Sequence, residues 1–451
     1  MNYYQQHQSD YLEGLKAFLR IPSISTLTEH KPDIRRAAEF ALNELRAAGM
    51  TAAELIEGSG NPLVYAEWLG APGKPTILFY GHYDVQPPDP LDEWKSPPFE
   101  PDIRGNDIFA RGACDDKGQV YIQVKAVEGL LKSTGKLPVN VKFLLEGEEE
   151  TGGEHIEAYV KSRPPRLKAD AAVVCDTEMF APEMPTICVG LRGMVYYELA
   201  VQGANHDLHS GVYGGAAPNP IQAIAEILCA LKDRDGHIKI PGFYDRVVPP
   251  SAKERQAWAR LPFDEKEYTQ TEMGARELVG EPEVPLFERV WARPTLEVHG
   301  IRGGFTGEGA KTVIPSRAVA NVSTRLVADQ RVDEAVQQFK AAVKAACPKG
   351  VTAEVKMLHS GEPSLTNPDN PFIHASAEAM KQVFGKETVY IRSGGSIPVV
   401  GVFDRYLGVP SVMMGFGLPD DNLHAPNEKF HLPNFYRGIE AVARYLEILG
   451  Q

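Results

Sequence analysis

The chain has no block of lysine and arginine, and no basic stripe interleaved with aromatic side chains; its formal charge of −13 is spread along its length. A polyanion finds no complementary surface, so no nucleic-acid partner is expected. No apolar stretch approaches the roughly 20 residues needed to cross a bilayer, which removes the membrane as a partner. The opening segment, MNYYQQHQSDYLEGLKAFLRIPS, lacks a basic leader followed by an apolar run, so nothing in it addresses a secretory route. Cysteine is scarce. Cys114, Cys175, Cys188, Cys229 and Cys347 are odd in number, scattered and free of C-x-x-C spacing. That usage suits a reducing cytoplasm and argues against a thiolate zinc site. Internal repeats and low-complexity segments are also missing.

What is present describes a large globular protein: 451 residues, 43% apolar and 24% charged, long enough for two domains or more. Leu12, Leu15, Phe18 and Leu19 are spaced as one face of a helix. Residues 34–49 read as a second helix, with Ala38, Leu42 and Leu45 on one face and Gly49 as its stop. Residues 63–69 and 75–80 read as strands, and the second is a near-continuous apolar run, as in a strand buried on both faces.

That strand leads directly into Gly81-His82-Tyr83-Asp84. In extended chain His82 and Asp84 point to the same side, so the carboxylate can orient the imidazole while its other nitrogen faces a metal. Alone, such a histidine is more often structural. Asp115 and Asp116 precede a helix with Val120, Val124, Val127 and Leu131 on one face. One aspartate suffices to cap that helix, which leaves the other free to bridge two cations.

Val139, Val141, Phe143 and Leu145 then alternate as a strand's buried face does, and Glu148, Glu149 and Glu150 follow. An isolated run of three acids is ordinarily a solvated corner. Its neighbours change that reading. Residues 169–175 form another apolar run ending at Asp176, and residues 410–416 a further one whose following loop carries His424. His82, Glu149, Glu150, Asp176 and His424 thus each lie just beyond a strand in helix–strand alternation. In open α/β sheets, binding sites form outside the carboxyl ends of the strands.

From about residue 191 the pattern changes to β-α-β-β-α-β, the ferredoxin-like split unit. The expected organisation is α/β, a mixed sheet flanked by helices over residues 1–190 and 364–451, with a smaller α+β domain inserted at 191–363. Within the insert, residues 233–294 are rich in charge, proline and aromatics and carry no evident chemistry. The Ser393-Gly394-Gly395-Ser396 turn is either an ordinary loop or a place where backbone amides grip an anion such as a carboxylate.

Taken in order, GHYDVQP, ARGACDDKG, LLEGEEETGG, VVCDTE, GLRGMVYYELAV, DLHSGVYGG, GAKTVIPSR, RSGGSIPV and DDNLHAPNE resemble the M20 metallopeptidases, and within them the carnosinase-like dipeptidases. The resemblance covers essentially the whole chain. It implies a zinc-peptidase α/β domain holding two divalent metals, most simply zinc with manganese or cobalt also suited, and an inserted lid domain that forms a homodimer. His82 and Asp176 are implied as ligands of one metal, Glu150 and His424 of the other, with Asp115 bridging. Asp84 is implied as the residue that orients His82, and Glu149 as the general base. His209 is implied to reach the partner subunit's site, and Arg325, His359 and Ser396 to hold the substrate's carboxylate. Gly153 stands where related members often carry serine.

These expectations describe a cytoplasmic hydrolase of dipeptides or small peptides. An N-acyl amino acid deacylase or a carboxypeptidase of the same superfamily would share the chemistry and differ only in lid and pocket. A metal-dependent binding protein without turnover is the remaining alternative, and it would have no need of Glu149.

Overall fold

The computed structural model describes residues 3–451. The chain divides into two compact units, Met1–Val189 with Thr366–Ile391 and Pro398–Gln451, and Gly190–Leu365 with Arg392–Ile397. In chain order the first stretch gives helices α1 Gln8–Leu19 and α2 Lys31–Ala48, then strands β1 Ala52–Ile56, β2 Leu63–Trp68 and β3 Thr76–His82. Helix α3 Lys117–Thr134, strand β4 Asn140–Glu146, helix α4 Glu154–Ser162 and strands β5 Ala171–Val174 and β6 Thr186–Leu191 follow. Next are β7 Gly193–Gln202, α5 Pro220–Leu231, α6 Ala252–Trp258, α7 Leu286–Ala292, β8 Thr295–Gly303, β9 Arg317–Leu326, α8 Val332–Ala346 and β10 Thr352–Gly361. The last elements are α9 Pro371–Phe384, β11 Val389–Ser393, α10 Pro398–Leu407, β12 Ser411–Met413 and α11 Leu432–Leu449.

The large sheet of the first unit runs β1-β2-β4-β3-β5-β12-β6, with β11 also paired to β6. Its centre is parallel. His82 stands opposite Glu146, Tyr80 opposite Val174, and Val174 opposite Met413, so β4, β3, β5 and β12 finish along one edge. The outer pairs β1 with β2, β2 with β4, and β12 with β6 are antiparallel. Apolar stripes of the helices meet one face: Leu15, Phe18, Ala38, Leu45, Val127, Ile373 and Phe435 share a core with Val141, Phe143 and Phe79. Helix α2 stops where Gly49 takes a left-handed φ of 104°, the conformation a glycine enters without steric cost.

Strand β4 departs from the expected one-sided alternation, because all seven of its residues are buried. The second face of the sheet is covered too; Phe403 of α10 sits edge-on to Tyr80 at 5.8 Å. A central strand covered on both sides must satisfy its polar members internally. Lys142 does so by donating to the carbonyls of Arg166 (2.6 Å) and Lys168 (2.9 Å).

In the second unit the strands run β8-β9-β7-β10, all antiparallel. Counted along the chain this is second-third-first-fourth, the ferredoxin-like order. Helices α5 and α8 bury Ile224, Ile227, Phe339 and Val343 against Tyr197, Leu199 and Val322. The Tyr197 and Phe339 rings stack at 4.1 Å and 7°. The segment between α5 and β8 folds into its own helices, among them α6 and α7.

Candidate metal centre

The parallel arrangement decides where the acids go. His82 is the last residue of β3, and β4 ends four residues before Glu150. Asp176 lies two residues beyond β5, and His424 sits in the loop after β12 with a φ of 59°. Asp115 enters from the loop that precedes α3. After Glu149–Thr151, Gly152 and Gly153 take φ values of 110° and 64° in succession. Two left-handed residues in a row turn the chain into α4, a geometry that glycine meets most easily and a serine at 153 would adopt only with strain.

Asp115 is the centre of the arrangement. Its Oδ1 lies 3.0 Å from His82 Nε2, and its Oδ2 lies 2.9 Å from His424 Nε2. His82 Nε2 is 3.9 Å from Asp176 Oδ2, and His424 Nε2 is 3.4 Å from Glu150 Oε2. Two triads result, His82–Asp115–Asp176 and Asp115–Glu150–His424, each with its ligand atoms within 4.8 Å of one another and with Asp115 in common.

Other side chains hold these in place. His82 Nδ1 bonds the Asp84 carbonyl at 3.1 Å and lies 3.3 Å from Asp84 Oδ1. The Asp84 carboxylate also accepts the amides of Glu149 and Glu150, at 3.3 and 3.2 Å, so one residue orients both the histidine and the glutamate turn. Gln86 donates to Glu150 Oε2 at 2.8 Å. Glu428, fully buried, accepts the amides of Gly112, Cys114 and Asp115 and the guanidinium of Arg111, fixing the loop that presents Asp115. Glu148 is a structurally paired acid: its Oε1 accepts the Asn61 amide at 2.8 Å. Gln86 and Glu428 were within the quoted motifs, but their partners are a side chain and backbone amides that no local spacing reveals.

The expected capping aspartate is a correction. Asp116 occupies the N-cap position of α3, yet its side chain makes no capping bond. Its Oδ2 instead accepts the backbone amide of His82 at 3.0 Å, so the side chain ties the helix start to the end of β3.

The donor set fits two divalent cations. His82 Nε2 is buried and has no hydrogen-bond partner, although two carboxylates approach it. Because Nδ1 donates to the Asp84 carbonyl, Nε2 is the ring nitrogen left to serve as a ligand. The charge balance points the same way, since Asp84, Asp115, Glu149, Glu150 and Asp176 crowd around two imidazoles. Burial, reinforced by Asp115, lifts the Asp176 carboxyl to about 7. Burial together with Asp176, Glu150 and Asp115 holds Glu149 well above the ordinary carboxylate range, against the pull of His82. Hydrogen bonds that His424 donates to the Asp115 and Glu150 carboxylates raise its imidazole to about 10. Cations at the two triads would relieve the carboxylate repulsion that these shifts record.

The remaining sequence candidates lie in the second unit. His209 is exposed, at the end of a two-residue strand Leu208–His209 paired to Val313–Ile314, and its Nδ1 accepts the Gly211 amide. Arg325 Nη1 donates to Ser396 Oγ at 2.7 Å, and Ser396 Oγ donates onward to the Arg192 carbonyl. Burial, then the charge of Arg325, keeps His359 below the usual imidazole range. Its ring stacks on Tyr196 at 4.9 Å and 15°, and Tyr196 stacks on His299 at 5.1 Å and 14°. Register shifts at Met357/His359 and Val298/Gly300 put both histidines at irregular points, which is why strand alternation alone gave no sign of this ladder.

Residues 78–448 match Peptidase family M20/M25/M40. The chain is 32% identical to the Cys-Gly metallodipeptidase DUG1 of Candida albicans over 460 residues, covering 98% of this chain and 95% of that one. It is 30% identical to the human Beta-Ala-His dipeptidase, covering 100% and 92%. Among solved structures it is similar to the M20 family metallo-carboxypeptidase Sso-CP2 from Sulfolobus solfataricus, with a TM-score of 0.88, 33% identity, and coverage of 98% and 99%. By sequence and by fold, the chain belongs to peptidase family M20.

Proposed function

We propose that this protein hydrolyses the peptide bond of dipeptides or similarly small peptides, with two divalent cations bound and Glu149 as general base. The observation that carries the reading is one carboxylate, Asp115, shared between two ligand triads, with Glu149 next to one of the ligands on the same turn. His82 and Asp176 would hold one cation, Glu150 and His424 the other. When bound, the pair supplies Lewis acidity toward the scissile carbonyl and the attacking water. Glu149 takes the proton of that water on its carboxylate and returns it to the leaving amine. Asp84 keeps His82 in orientation, and Arg325, His359 and Ser396 hold the substrate's carboxylate.

The Cys-Gly and Beta-Ala-His dipeptidases among the relatives support a dipeptide substrate. Zinc suits the mixed imidazole and carboxylate donors, with manganese and cobalt next. A homodimer formed through the second unit would let His209 reach the partner's site. A cytoplasmic location agrees with five cysteines that form no disulfide and with the absence, among the described residues, of a helix long and apolar enough to cross a membrane.

The test is a panel of dipeptides, N-acyl amino acids and longer peptides, assayed with zinc, manganese or cobalt. Dipeptides should turn over fastest, and Glu149→Ala should abolish turnover while metal content stays at wild-type level. Turnover of acyl amino acids alone would overturn the dipeptidase reading, and activity surviving Glu149→Ala would overturn the role of the base. The likeness to a metallo-carboxypeptidase favours one rival, release of C-terminal residues from longer peptides, which the same panel separates.

A further inference from the structure

The segment between α5 and β8 is built as a clamp. Helices α6 and α7 are tied by a two-pronged ion pair, Arg255 Nε to Glu288 Oε2 at 2.7 Å and Nη2 to Oε1 at 2.8 Å. Trp258 meets Trp291 edge-on at 5.2 Å, and Phe287 stacks on Trp291 at 4.4 Å. The fastened pair reaches the Ser393–Ser396 turn from two directions.

First, Glu254 Oε1 accepts both Nε and Nη2 of Arg392, at 3.0 and 2.6 Å. The guanidinium also lies 5.7 Å from the centre of the Trp258 ring. Arg392 and Trp258 are each only 5% exposed, so this contact is desolvated and stiff. Glu254 is itself fixed, because its Oε2 closes a capping box with the amide and hydroxyl of Ser251. Second, a Cβ at Gly394 would come within 3.0 Å of the Val290 carbonyl and 2.8 Å of Arg192 Nη2, so α7 and Arg192 close tightly on this residue and leave little room for a side chain. At the far end of the turn, Ser396 accepts from Arg325 and donates to the Arg192 carbonyl. With its one proton committed there, Ser396 contributes to holding the substrate's carboxylate by positioning Arg325.

We infer that the segment at 233–294 is a brace: Glu254 and Trp258, by holding Arg392, fix the Ser393–Ser396 turn and through Ser396 the guanidinium of Arg325, and so set the affinity for a substrate's C-terminal carboxylate. This rests on the role given to Arg325 under Proposed function. Glu254, Trp258 and Arg392 are positioning residues and touch no reacting atom.

The test uses full-length Arg392→Met and Glu254→Gln, the second keeping the size of the side chain in case the first fails to fold. Amide hydrogen exchange is followed across 393–396, and KM and kcat are measured for a dipeptide and for the same dipeptide as its C-terminal carboxamide. Exchange in the turn should quicken on the order of tenfold as a local opening. KM for the free dipeptide should rise about tenfold with kcat nearly constant, while the carboxamide is unaffected, the pattern of lost binding to one group. Unchanged exchange in both variants would overturn the brace, and so would equal losses on both substrates. If exchange quickens but the wild-type protein does not distinguish carboxylate from carboxamide, the brace stands and the assignment of Arg325 falls.

Discussion

Glu428 offers the sharpest test of how the metal centre is held. Its carboxylate receives four donors inside the protein: Arg111 Nη1 at 2.8 Å and the Gly112 amide at 2.9 Å on Oε2, and the Cys114 and Asp115 amides at 3.0 and 3.1 Å on Oε1. Glu428→Gln keeps the shape but turns one oxygen into an NH₂ group facing two other donors. It also leaves Arg111, 1% exposed, without its counter-charge. Removing one partner of a buried ion pair costs about 3–5 kcal/mol. The two amide bonds lost at the flipped end concern the same loop, so their cost overlaps with that figure. Urea denaturation with a chelator present separates this loss from metal binding. The backbone of Asp115 is one of the released donors, so chelator competition should also show metal affinity lowered by roughly 10–100-fold, as for other outer supports of ligands. Arg111→Met combined with Glu428→Gln should cost less than the two single changes added together. A stability loss below about 1 kcal/mol, with unchanged metal affinity, would show that the loop holds Asp115 by other means.

Three further expectations follow from particular contacts. Gln86→Leu removes the donor on Glu150 Oε2 and should weaken one of two metals by about tenfold while leaving the other in place, as read by calorimetric titration; equal loss at both would contradict it. Burial raises the Glu281 carboxyl, but the Arg293 fork at 2.7 and 2.9 Å and the Tyr244 hydroxyl at 2.9 Å outweigh it and depress the pKa. A depressed folded pKa gives stability that is present above the unfolded value of about 4.3 and lost as pH falls through the folded one, so Glu281→Gln should flatten the acid limb of the melting profile below pH ~4, and an unaltered limb speaks against the pairing. Phe339→Ala deletes the ring stacked on Tyr197 and should cost about 3–5 kcal/mol in chemical denaturation of the second unit. A cost near zero would mean that the pocket collapses around the missing ring.

Much of the first unit was readable because its strands are apolar runs and its candidate ligands come after them. His82, Glu150, Asp176 and His424 each come after such a run, and the structure gathers them about Asp115. Periodicity failed where burial was two-sided, as in β4, whose Lys142 reads as a solvent residue and is instead paid for by two carbonyls. It failed again where a side chain serves a backbone amide distant in the chain: Asp116 bonds residue 82, and Glu428 bonds residues more than 300 positions earlier. The ladder of His359, Tyr196 and His299 stayed hidden because a bulged strand breaks the two-residue alternation on which the reading of strands depends.

Because β4, β3, β5 and β12 are parallel neighbours in the sheet, the position of the candidate ligands that follow them is set by strand pairing more than by chain continuity. The connections at the opposite ends of those strands are then topologically dispensable to the site. A single protease cut at Gly73, whose left-handed turn has open space around it, would sever the covalent path into β3 at the end remote from His82. His82 would still be anchored through β3 to a partner strand on each side, and the two fragments should remain associated with both ligand triads assembled.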